Sequence, residues 1–161
     1  MNVPVRNDIK ITLVNPEDSR VFAIESEVVK SSPDVYDTGS QAAFVALLRG
    51  RRADRSMVAL AWAGREAVAY IALVYRDKSD ELEVLSVAVR PNWQHRGIGT
   101  FLMSWAETQA RELGKQNLTL VTNPKNVHAV HLYKKQGYSI ENEVENYYGD
   151  GNPRTLFRKQ L

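Results

Sequence analysis

The feature that most constrains this chain is a short glycine-containing loop between an apolar segment and an amphipathic one. The loop is residues 94–100, QHRGIGT; residues 83–89 before it predict a buried strand, and residues 101–113 after it predict a helix. A loop of this kind directs free backbone N–H groups and the positive end of the helix dipole to one point. Gly97 and Gly99 have no side chain to keep a ligand away from the backbone. The loop therefore predicts an anion site, and we expect the anion to be a phosphate group.

Two well-known phosphate-binding loops do not match this sequence. The loop of nucleoside triphosphatases has the form Gly-x-x-x-x-Gly-Lys-Ser/Thr, and no lysine follows Gly99. The dinucleotide-binding loop needs a third glycine, and Leu102 stands at that position. Arg-Gly-x-Gly by itself is a weak signal, so the ligand has to be inferred with the help of a second element.

That second element is residues 126–138, whose spacing predicts a helix followed by a strand. Asn126 and Tyr133 are seven positions apart, so they fall within about 20° of each other around a helix. An amide and a phenol are therefore expected on one face of this helix. Gly137 predicts the end of the helix, and Tyr138 begins the next strand.

Together the two elements resemble the GNAT superfamily of acyl-CoA-dependent N-acetyltransferases. The family's pyrophosphate motif, Gln/Arg-x-x-Gly-x-Gly/Ala, is present as Gln94, Gly97 and Gly99. Its later motif, Asn-x-x-Ala-x-x-Leu-Tyr-x-x-x-Gly-Phe/Tyr, is complete in residues 126–138. The resemblance covers about residues 9–160. It implies a GNAT-like α/β fold, with a central mixed, mostly antiparallel sheet and helices on both faces.

The length of 161 residues suits a single domain. We expect an N-terminal tail over residues 1–8 and one N-acetyltransferase domain over residues 9–161. Periodicity predicts strands at 9–14, 57–63, 67–75, 81–89 and 118–122, and two final strands around a loop at 147–153. It predicts helices from a cap at Asn15 toward Lys30, at 40–51, at 101–113 and from Asn126. The polar loop between the first two helices is a candidate lid over the acceptor site.

Composition excludes several classes of protein. A formal charge of +2 is too small to indicate a nucleic-acid-binding protein. No apolar run approaches the roughly 18 residues that cross a bilayer, and the N-terminus lacks the apolar segment of a signal peptide. We therefore expect a cytoplasmic protein, monomeric or homodimeric, with no nucleic-acid partner and no membrane partner.

The absence of cysteine bears on the mechanism. No thiol can carry the acyl group between donor and acceptor, so direct attack within a ternary complex is expected. Disulfides and thiolate metal sites are excluded as well. His128 and His131 are three positions apart on the predicted helix, but no third ligand accompanies them, and we expect no metal.

The resemblance implies that acetyl-CoA is the acyl donor and that it contacts three parts of the chain. In the family, the central strand carries a bulge that frees a backbone amide for the thioester carbonyl and lets the pantetheine arm pair as an additional strand. The side chains of this strand are expected in the core, and Asn126 is also a candidate helix cap. The implied cofactor-binding residues are Val87, Ala88, Val89, Gln94, His95, Arg96, Gly97, Ile98, Gly99, Thr100, Asn126 and Tyr133.

Glu83 is the candidate general base. It lies on a predicted strand, and its expected same-face neighbours are all apolar, namely Leu85, Val87 and Val89. Burial there would favour a raised pKa, and several members of the family place at this position a glutamate that activates the amine through water. The alternatives are that the residue belongs to a solvated strand end, that Glu81 is the base, or that water acts alone.

Tyr133 is the candidate general acid toward the CoA thiolate. A phenol with an ordinary pKa of about 10 is protonated at pH 7 and can donate a proton. The alternative is an aromatic core residue on an amphipathic helix. The complete motif around Tyr133 favours the catalytic role.

The C-terminal segment bears on the acceptor amine. Residues 147–151, YYGDG, resemble the last hairpin of the Ard1/RimI-like protein N-terminal acetyltransferases, where tyrosines wall the peptide groove. Tyr147 and Tyr148 are therefore the candidate substrate-binding residues, and a protein or peptide amine, such as a protein N-terminus, is the expected acceptor. The chain departs from those proteins at residues 152–154, NPR, and at Val121, where RimI-type enzymes carry a glutamate. These departures leave the detailed mechanism open.

Two other functions stay open at this point. A small-molecule amine, such as a polyamine, an aminoglycoside or an amino-acid derivative, would need an acidic cleft. A regulatory domain that binds acyl-CoA without catalysis would share the CoA motif but would need neither Glu83 nor Tyr133. The residues that could supply an acidic cleft are Asp34, Asp37, Glu141, Glu143 and Asp150.

Overall fold

The computed structural model describes residues 8–33, 35, 55–149 and 151–161. In these residues seven strands form one sheet, in the order β1-β2-β3-β4-β5-β7-β6. The strands are β1 (Ile9–Val14), β2 (Arg55–Ala63), β3 (Glu66–Tyr75), β4 (Glu81–Val89), β5 (Asn117–Thr122), β6 (Ser139–Val144) and β7 (Arg154–Gln160). The helices are α1 (Ser19–Ser31), α2 (Ile98–Glu112) and α3 (Val127–Lys135), and Pro91–Trp93 forms a short 3-10 turn.

The sheet is mixed and mostly antiparallel, as predicted. β4 and β5 run parallel, and every other neighbouring pair is antiparallel. The parallel pair needs a crossover, which α2 supplies between the two strands.

Helices cover both faces of the sheet. α1 buries Val21, Ile24 and Val28 against residues of β2 and β3, among them Leu60 and Tyr70. This spacing of three and four residues places them on one side of the helix. Each such aliphatic side chain contributes about 1.5–3 kcal/mol when it is fully buried.

On the opposite face, α2 packs its apolar side against the sheet. Leu102, Met103 and Ala106 join a core cluster that also contains Leu82 of β4 and Phe157 of β7. Because this cluster reaches from β4 to β7, α2 spans the junction between the two halves of the sheet.

The predicted starts of two helices are wrong. Asp18, and not Asn15, caps α1, because its Oδ1 accepts the backbone N–H of Arg20 at 2.9 Å. The side chain of Asn15 instead accepts the N–H of Glu17 at 2.9 Å and closes the turn before the helix. α2 begins at Ile98, three residues earlier than predicted, so the end of the glycine loop is its first turn.

Part of the prediction concerns residues outside the described ranges. This applies to the predicted helix at 40–51, to most of the candidate lid loop before it, and to residues 1–7 of the predicted tail.

A bulge interrupts β4 in its middle. Ala72 of β3 is opposite Ser86, whereas the next residue of β3, Leu73, is opposite Val84, so Leu85 is the extra residue of β4. The bulge that the family resemblance implies for this strand is therefore present, at Leu85. An extra residue bends the strand and increases its local twist.

Beyond the bulge, β4 separates from β5. The parallel pairing covers only Glu81–Val84 against Asn117–Leu120. β5 continues its pairing with β7 to Thr122. The sheet is therefore open between the second half of β4 and the end of β5, and this opening positions the site.

Candidate active site

A cleft fills the opening between β4 and β5. It encloses about 760 Å³ of space that is continuous with solvent. On the side that faces β5, the backbone of β4 beyond Val84 has no strand to pair with in the part of the chain that the structure describes. The described residues that line the cleft are Glu25, Val35, Val84, Leu85, Ser86, Val87, Leu120, Val121, Thr122, Asn123, Asn126, Tyr133, Tyr148 and Arg154.

The glycine loop follows β4 and ends at the N-terminus of α2. Gly97 is the N-cap residue, with a φ of +82°, which glycine adopts without strain. A Cβ atom at this position would meet no atom within 4 Å. No side chain caps the helix here, so the N–H groups of its first turn are available to an anion. Gln94 ties the loop to β4, because its Nε2 donates to the carbonyl oxygen of Val89 at 3.0 Å.

The other residues predicted to contact the cofactor lie around this loop. His95 packs edge to face on His128 of α3, with ring centroids 4.8 Å apart. The guanidinium of Arg96 lies 4.6 Å from the ring centroid of Trp93. Thr100 is in the first turn of α2 and is half-buried. The loop thus brings imidazole, guanidinium and backbone N–H donors to the end of β4.

The residues predicted to hold the acyl arm, 87–89, have their side chains in the core. Val87 and Val89 pack against the cluster on the α2 face, and Ala88 belongs to the cluster on the α1 face. Ala88 is buried, Val87 and Val89 are half-buried, and Val87 also lines the cleft.

The structure brings Asn126 and Tyr133 together in the cleft, as their spacing predicted. Asn126 is also the N-cap of α3, since its side chain accepts the backbone N–H of Ala129 at 3.1 Å. Tyr133 is only 7% exposed. Its ring meets those of Tyr138 and Phe157 edge to face, at centroid distances of 5.9 and 5.7 Å. Packing therefore fixes the ring of Tyr133 at the cleft wall.

The predicted same-face neighbours of Glu83 are right for Leu85 and wrong for Val87 and Val89. Val84 packs on the α2 face, so its neighbour Glu83 points to the α1 face, as Leu85 does. Val87 and Val89, on the far side of the bulge, return to the α2 face because the extra residue shifts the alternation of the strand. Glu83 is half-buried and is not among the described residues that line the cleft.

Glu81, the alternative base, is engaged elsewhere. Its carboxylate pairs with the guanidinium of Arg158 on β7, which also pairs with Glu141 at 3.0 Å. Glu143 is exposed on β6. Glu81, Glu141 and Glu143 are not among the described residues that line the cleft. The other candidates for an acidic acceptor cleft lie outside the described residues, namely Asp34, Asp37 and Asp150.

Glu25 of α1 is a residue of the cleft that the sequence reasoning missed. The residue is 6% exposed, and its Oε2 accepts the hydroxyl hydrogen of Tyr70. The Tyr70 hydroxyl in turn lies 2.7 Å from the Oγ of Ser86, the residue that follows the bulge. Burial raises the pKa of Glu25, and the hydrogen bond from Tyr70 lowers it to a smaller extent. One signal could have revealed it: Glu25 lies four residues after Val21, on the apolar stripe of its helix.

The C-terminal segment contributes two side chains to the cleft. Tyr148 lines it, and Arg154 lines it while being only 2% exposed. The guanidinium carbon of Arg154 lies 5.2 Å from the ring centroid of Tyr148, and Nη1 donates to the carbonyl oxygen of Pro153 at 2.9 Å. Tyr147 packs on Tyr148, with centroids 4.8 Å apart, and is not among the described residues of the lining. Val121 is in the lining.

No group of three or more His, Cys, Asp or Glu side chains that could hold a metal ion occurs among the residues that the structure describes. None of the helices described is long and apolar enough to cross a membrane.

The comparison with protein families identifies the family of this chain. The model of the acetyltransferase (GNAT) family matches residues 21–138. The chain belongs to the GNAT family. The predicted family and the predicted fold class are thereby confirmed, and so, at the level of the family, is the predicted enzyme class.

Two curated acetyltransferases match part of the chain. YvbK of Bacillus subtilis (strain 168), an uncharacterized N-acetyltransferase, is 30% identical over 81 residues, 50% of this chain and 52% of the relative. Streptothricin acetyltransferase of Streptomyces lavendulae is 30% identical over 121 residues, 75% of this chain and 62% of the relative. The chain therefore spans between about half and three fifths of the length of these relatives.

Solved GNAT structures share the fold over nearly the whole chain. An acetyltransferase from Elizabethkingia anophelis with acetyl-CoA bound has a TM-score of 0.74 at 17% identity, covering 96% of this chain and 99% of the other. The ribosomal-protein-S18-alanine N-acetyltransferase of Escherichia coli has a TM-score of 0.73 at 18% identity, covering 95% of this chain and 94% of the other. Ard1 from Thermoplasma volcanium has a TM-score of 0.72 at 22% identity, covering 96% of this chain and 98% of the other. At these identities the likeness concerns the fold.

Proposed function

We propose that this protein transfers an acetyl group from acetyl-CoA to a primary amine, by direct attack of the amine within a ternary complex. The observation that carries the proposal is the cleft that opens at the bulge of β4 and lies beside the strand that leads to the glycine loop. One site therefore offers an unpaired strand edge for an extended acyl arm and a group of N–H donors for a pyrophosphate.

The residues present fit acetyl-CoA. The backbone of residues 87–89 would hold the arm, and the first-turn N–H groups of α2, with Gln94, His95 and Arg96 nearby, would hold the phosphates. Asn126 and Tyr133 also line the cleft and would contact the acyl arm. The Elizabethkingia protein, which was solved with acetyl-CoA bound, has the same fold and supports this choice of donor.

The reaction needs proton transfer at two places. The amine must lose a proton, and the departing thiolate must gain one. Tyr133 is the proposed donor to the thiolate, because its phenol is held in the cleft wall by edge-to-face packing. Glu83, the candidate base from the sequence, stays a prediction for the group that takes the amine proton.

We propose a peptide or protein amine as the acceptor. Tyr148 and the buried Arg154 form a wall of the cleft near the last hairpin, which is the region that resembles the peptide groove of the Ard1/RimI-like enzymes. The E. coli neighbour, whose name gives a protein alanine as its substrate, supports the same class.

A small-molecule amine is the second candidate. The observation in its favour is the match to streptothricin acetyltransferase over 75% of this chain. The carboxylates on β6 do not favour it, since Glu141 pairs with Arg158 and Glu143 does not line the cleft.

An acceptor panel separates these candidates. Release of the CoA thiol from acetyl-CoA is measured with peptides that have free N-termini, with N-terminally blocked lysine peptides, with polyamines and with aminoglycosides. We expect the highest kcat/KM with a free peptide N-terminus, and the same peptide with a blocked N-terminus and no lysine is the matched control. Faster transfer to a small amine would contradict the peptide assignment. Tight binding of acetyl-CoA without turnover of any amine would favour a regulatory domain.

A further inference from the structure

Of the described residues that line the cleft, Glu25 is the one with an acidic side chain. It reaches the cleft from the side of α1 that packs on the sheet, and its helix neighbours Ile24 and Val28 are buried in the core. We propose that Glu25 is the catalytic residue that takes the proton from the attacking amine. This inference rests on the proposed acetyl transfer and adds to it a residue that the sequence motifs did not include.

A hydrogen-bonded chain holds the carboxyl group in place. The fully buried hydroxyl of Tyr70, on β3, donates to Oε2 of Glu25. Because that hydrogen is used, the Oγ of Ser86, at 2.7 Å, donates to the Tyr70 oxygen. The chain fixes one carboxyl oxygen and leaves the other, Oε1, with no hydrogen bond within the described ranges, so Oε1 is the atom available to the amine.

The bulge explains why this chain ends in the cleft. Leu85 is the extra residue, so Ser86 comes opposite Ala72 and faces α1 together with Leu85. Without the extra residue, Ser86 would point to the α2 face. The same bulge that separates β4 from β5 therefore directs a hydroxyl group from the opened strand toward Glu25.

The surroundings of Glu25 suit a base. Burial raises its pKa above the ordinary value, and Tyr70 opposes this effect. A raised value comes closer to that of an α-amino group, about 8. Titratable and charged groups face the cleft from other elements as well: Tyr133 from α3, Tyr148 from the segment before β7, and Arg154 from β7.

The proposed step balances as follows. The amine nitrogen forms a bond to the carbonyl carbon of the thioester, and the C–S bond breaks. Glu25 takes one proton from the ammonium form of the amine before the attack, and the second proton that the nitrogen loses passes to solvent. The thiolate takes the proton of Tyr133. The products are the amide and the CoA thiol, and exchange with solvent then restores the proton of Tyr133 and removes the proton of Glu25.

The test is the pH dependence of single-turnover acetyl transfer by the full chain, with the most active amine of the acceptor panel. We expect Glu25→Gln to lower the rate about 100-fold near neutral pH. The loss should shrink as pH rises, because the amine then deprotonates without help. The affinity for acetyl-CoA should stay unchanged, which shows that the variant is folded. Glu27→Gln, on the same helix, is the matched control, since Glu27 pairs with Arg90 and does not line the cleft.

A second variant separates catalysis from structure. Tyr70→Phe keeps the buried ring and removes the hydroxyl that lowers the pKa of Glu25. The base must be ionised to act, so we expect the acid limb of the pH–rate profile to move to higher pH. A structural role for Glu25 predicts a lower rate at every pH and no movement of the limb.

Three results would overturn the assignment. The first is an unchanged pH–rate profile in Glu25→Gln, and the second is an unmoved acid limb in Tyr70→Phe. The third is a pH-dependent loss of single-turnover rate in Glu83→Gln and not in Glu25→Gln. Failure of the proposed function is a different result, because wild type itself would then transfer acetyl to none of the amines tested.

Discussion

Tyr133 and Tyr138 are neighbouring buried phenols whose hydroxyl groups have different surroundings. Tyr133 lines the cleft. The hydroxyl of Tyr138 is buried and makes no hydrogen bond within the described part of the chain. Burial, with the nearby Glu107 carboxylate and Tyr133, raises the pKa of Tyr138. Of the two, only Tyr133 is placed to give a proton to a thiolate.

Replacing each of these tyrosines by phenylalanine tests the general acid. We expect Tyr133→Phe to bind acetyl-CoA as wild type does and to lower the rate of single-turnover transfer, because the ring still packs and only the proton donor is lost. Tyr138→Phe is the matched control. It should keep the rate and gain about 1 kcal/mol of unfolding free energy, because an unpaired buried hydroxyl is removed. Equal single-turnover and steady-state rates in Tyr133→Phe and wild type would exclude the role of acid.

The buried carboxyl group of Glu25 also predicts a stability effect with a definite sign. Its pKa in the folded protein is raised above the ordinary value of 4.5. Wild type should therefore lose stability as pH rises from the unfolded-state pKa through the folded-state pKa, since folding then has to bury a charge. Glu25→Gln should not show this loss. Urea unfolding of both proteins at a series of pH values measures the difference, which should grow with pH; a difference that is constant with pH would contradict the prediction.

At the scale of elements, α2 has a glycine at each end, and both have positive φ. Gly97 precedes the helix at +82° and Gly114 follows it at +70°. A Cβ atom at either position would meet no atom within 4 Å. The two sites are therefore equivalent in backbone strain, and only Gly97 is next to the proposed phosphate position.

The similar conformation of the two glycines gives a controlled test of the proposed phosphate site. Gly97→Ala and Gly114→Ala should each cost about 1–2 kcal/mol of unfolding free energy, because an L side chain is strained at positive φ. Only Gly97→Ala should weaken the binding of acetyl-CoA, measured by calorimetry. If both variants bind acetyl-CoA with the same affinity as wild type, the phosphate site is not at Gly97.

The strands and helices show where sequence reasoning succeeds and where it stops. Alternation predicted β1 with the observed bounds, and the apolar run before the glycine loop predicted β4 with its observed bounds. Alternation wrongly put Val87 and Val89 on the face of Glu83, because it assumes that no residue is extra, and Leu85 is one. Asn15 failed as a cap because a turn competes for the same side chain.

At the scale of the whole molecule, the site combines near and distant parts of the chain. The glycine loop and the Asn126–Tyr133 helix are local motifs, and their spacing was enough to predict that they act together. The contact of Glu25 with Tyr70 joins residues that are 45 positions apart. No periodicity links such positions, so this contact could be found only once α1 had been placed on the sheet.

The short pairing of β4 with β5 divides the reacting groups between two parts of the chain. Glu25, Ser86 and the glycine loop precede β5, whereas Tyr133 and Arg154 follow it, and the parallel pairing that joins the two strands is limited to Glu81–Val84 against Asn117–Leu120. A part of the chain that ended before β5 would contain the proposed base and the proposed phosphate site, but it would lack the general acid Tyr133. The distance between acid and base is therefore a property of tertiary assembly, and a substitution in this short seam would move the acid and the base relative to each other.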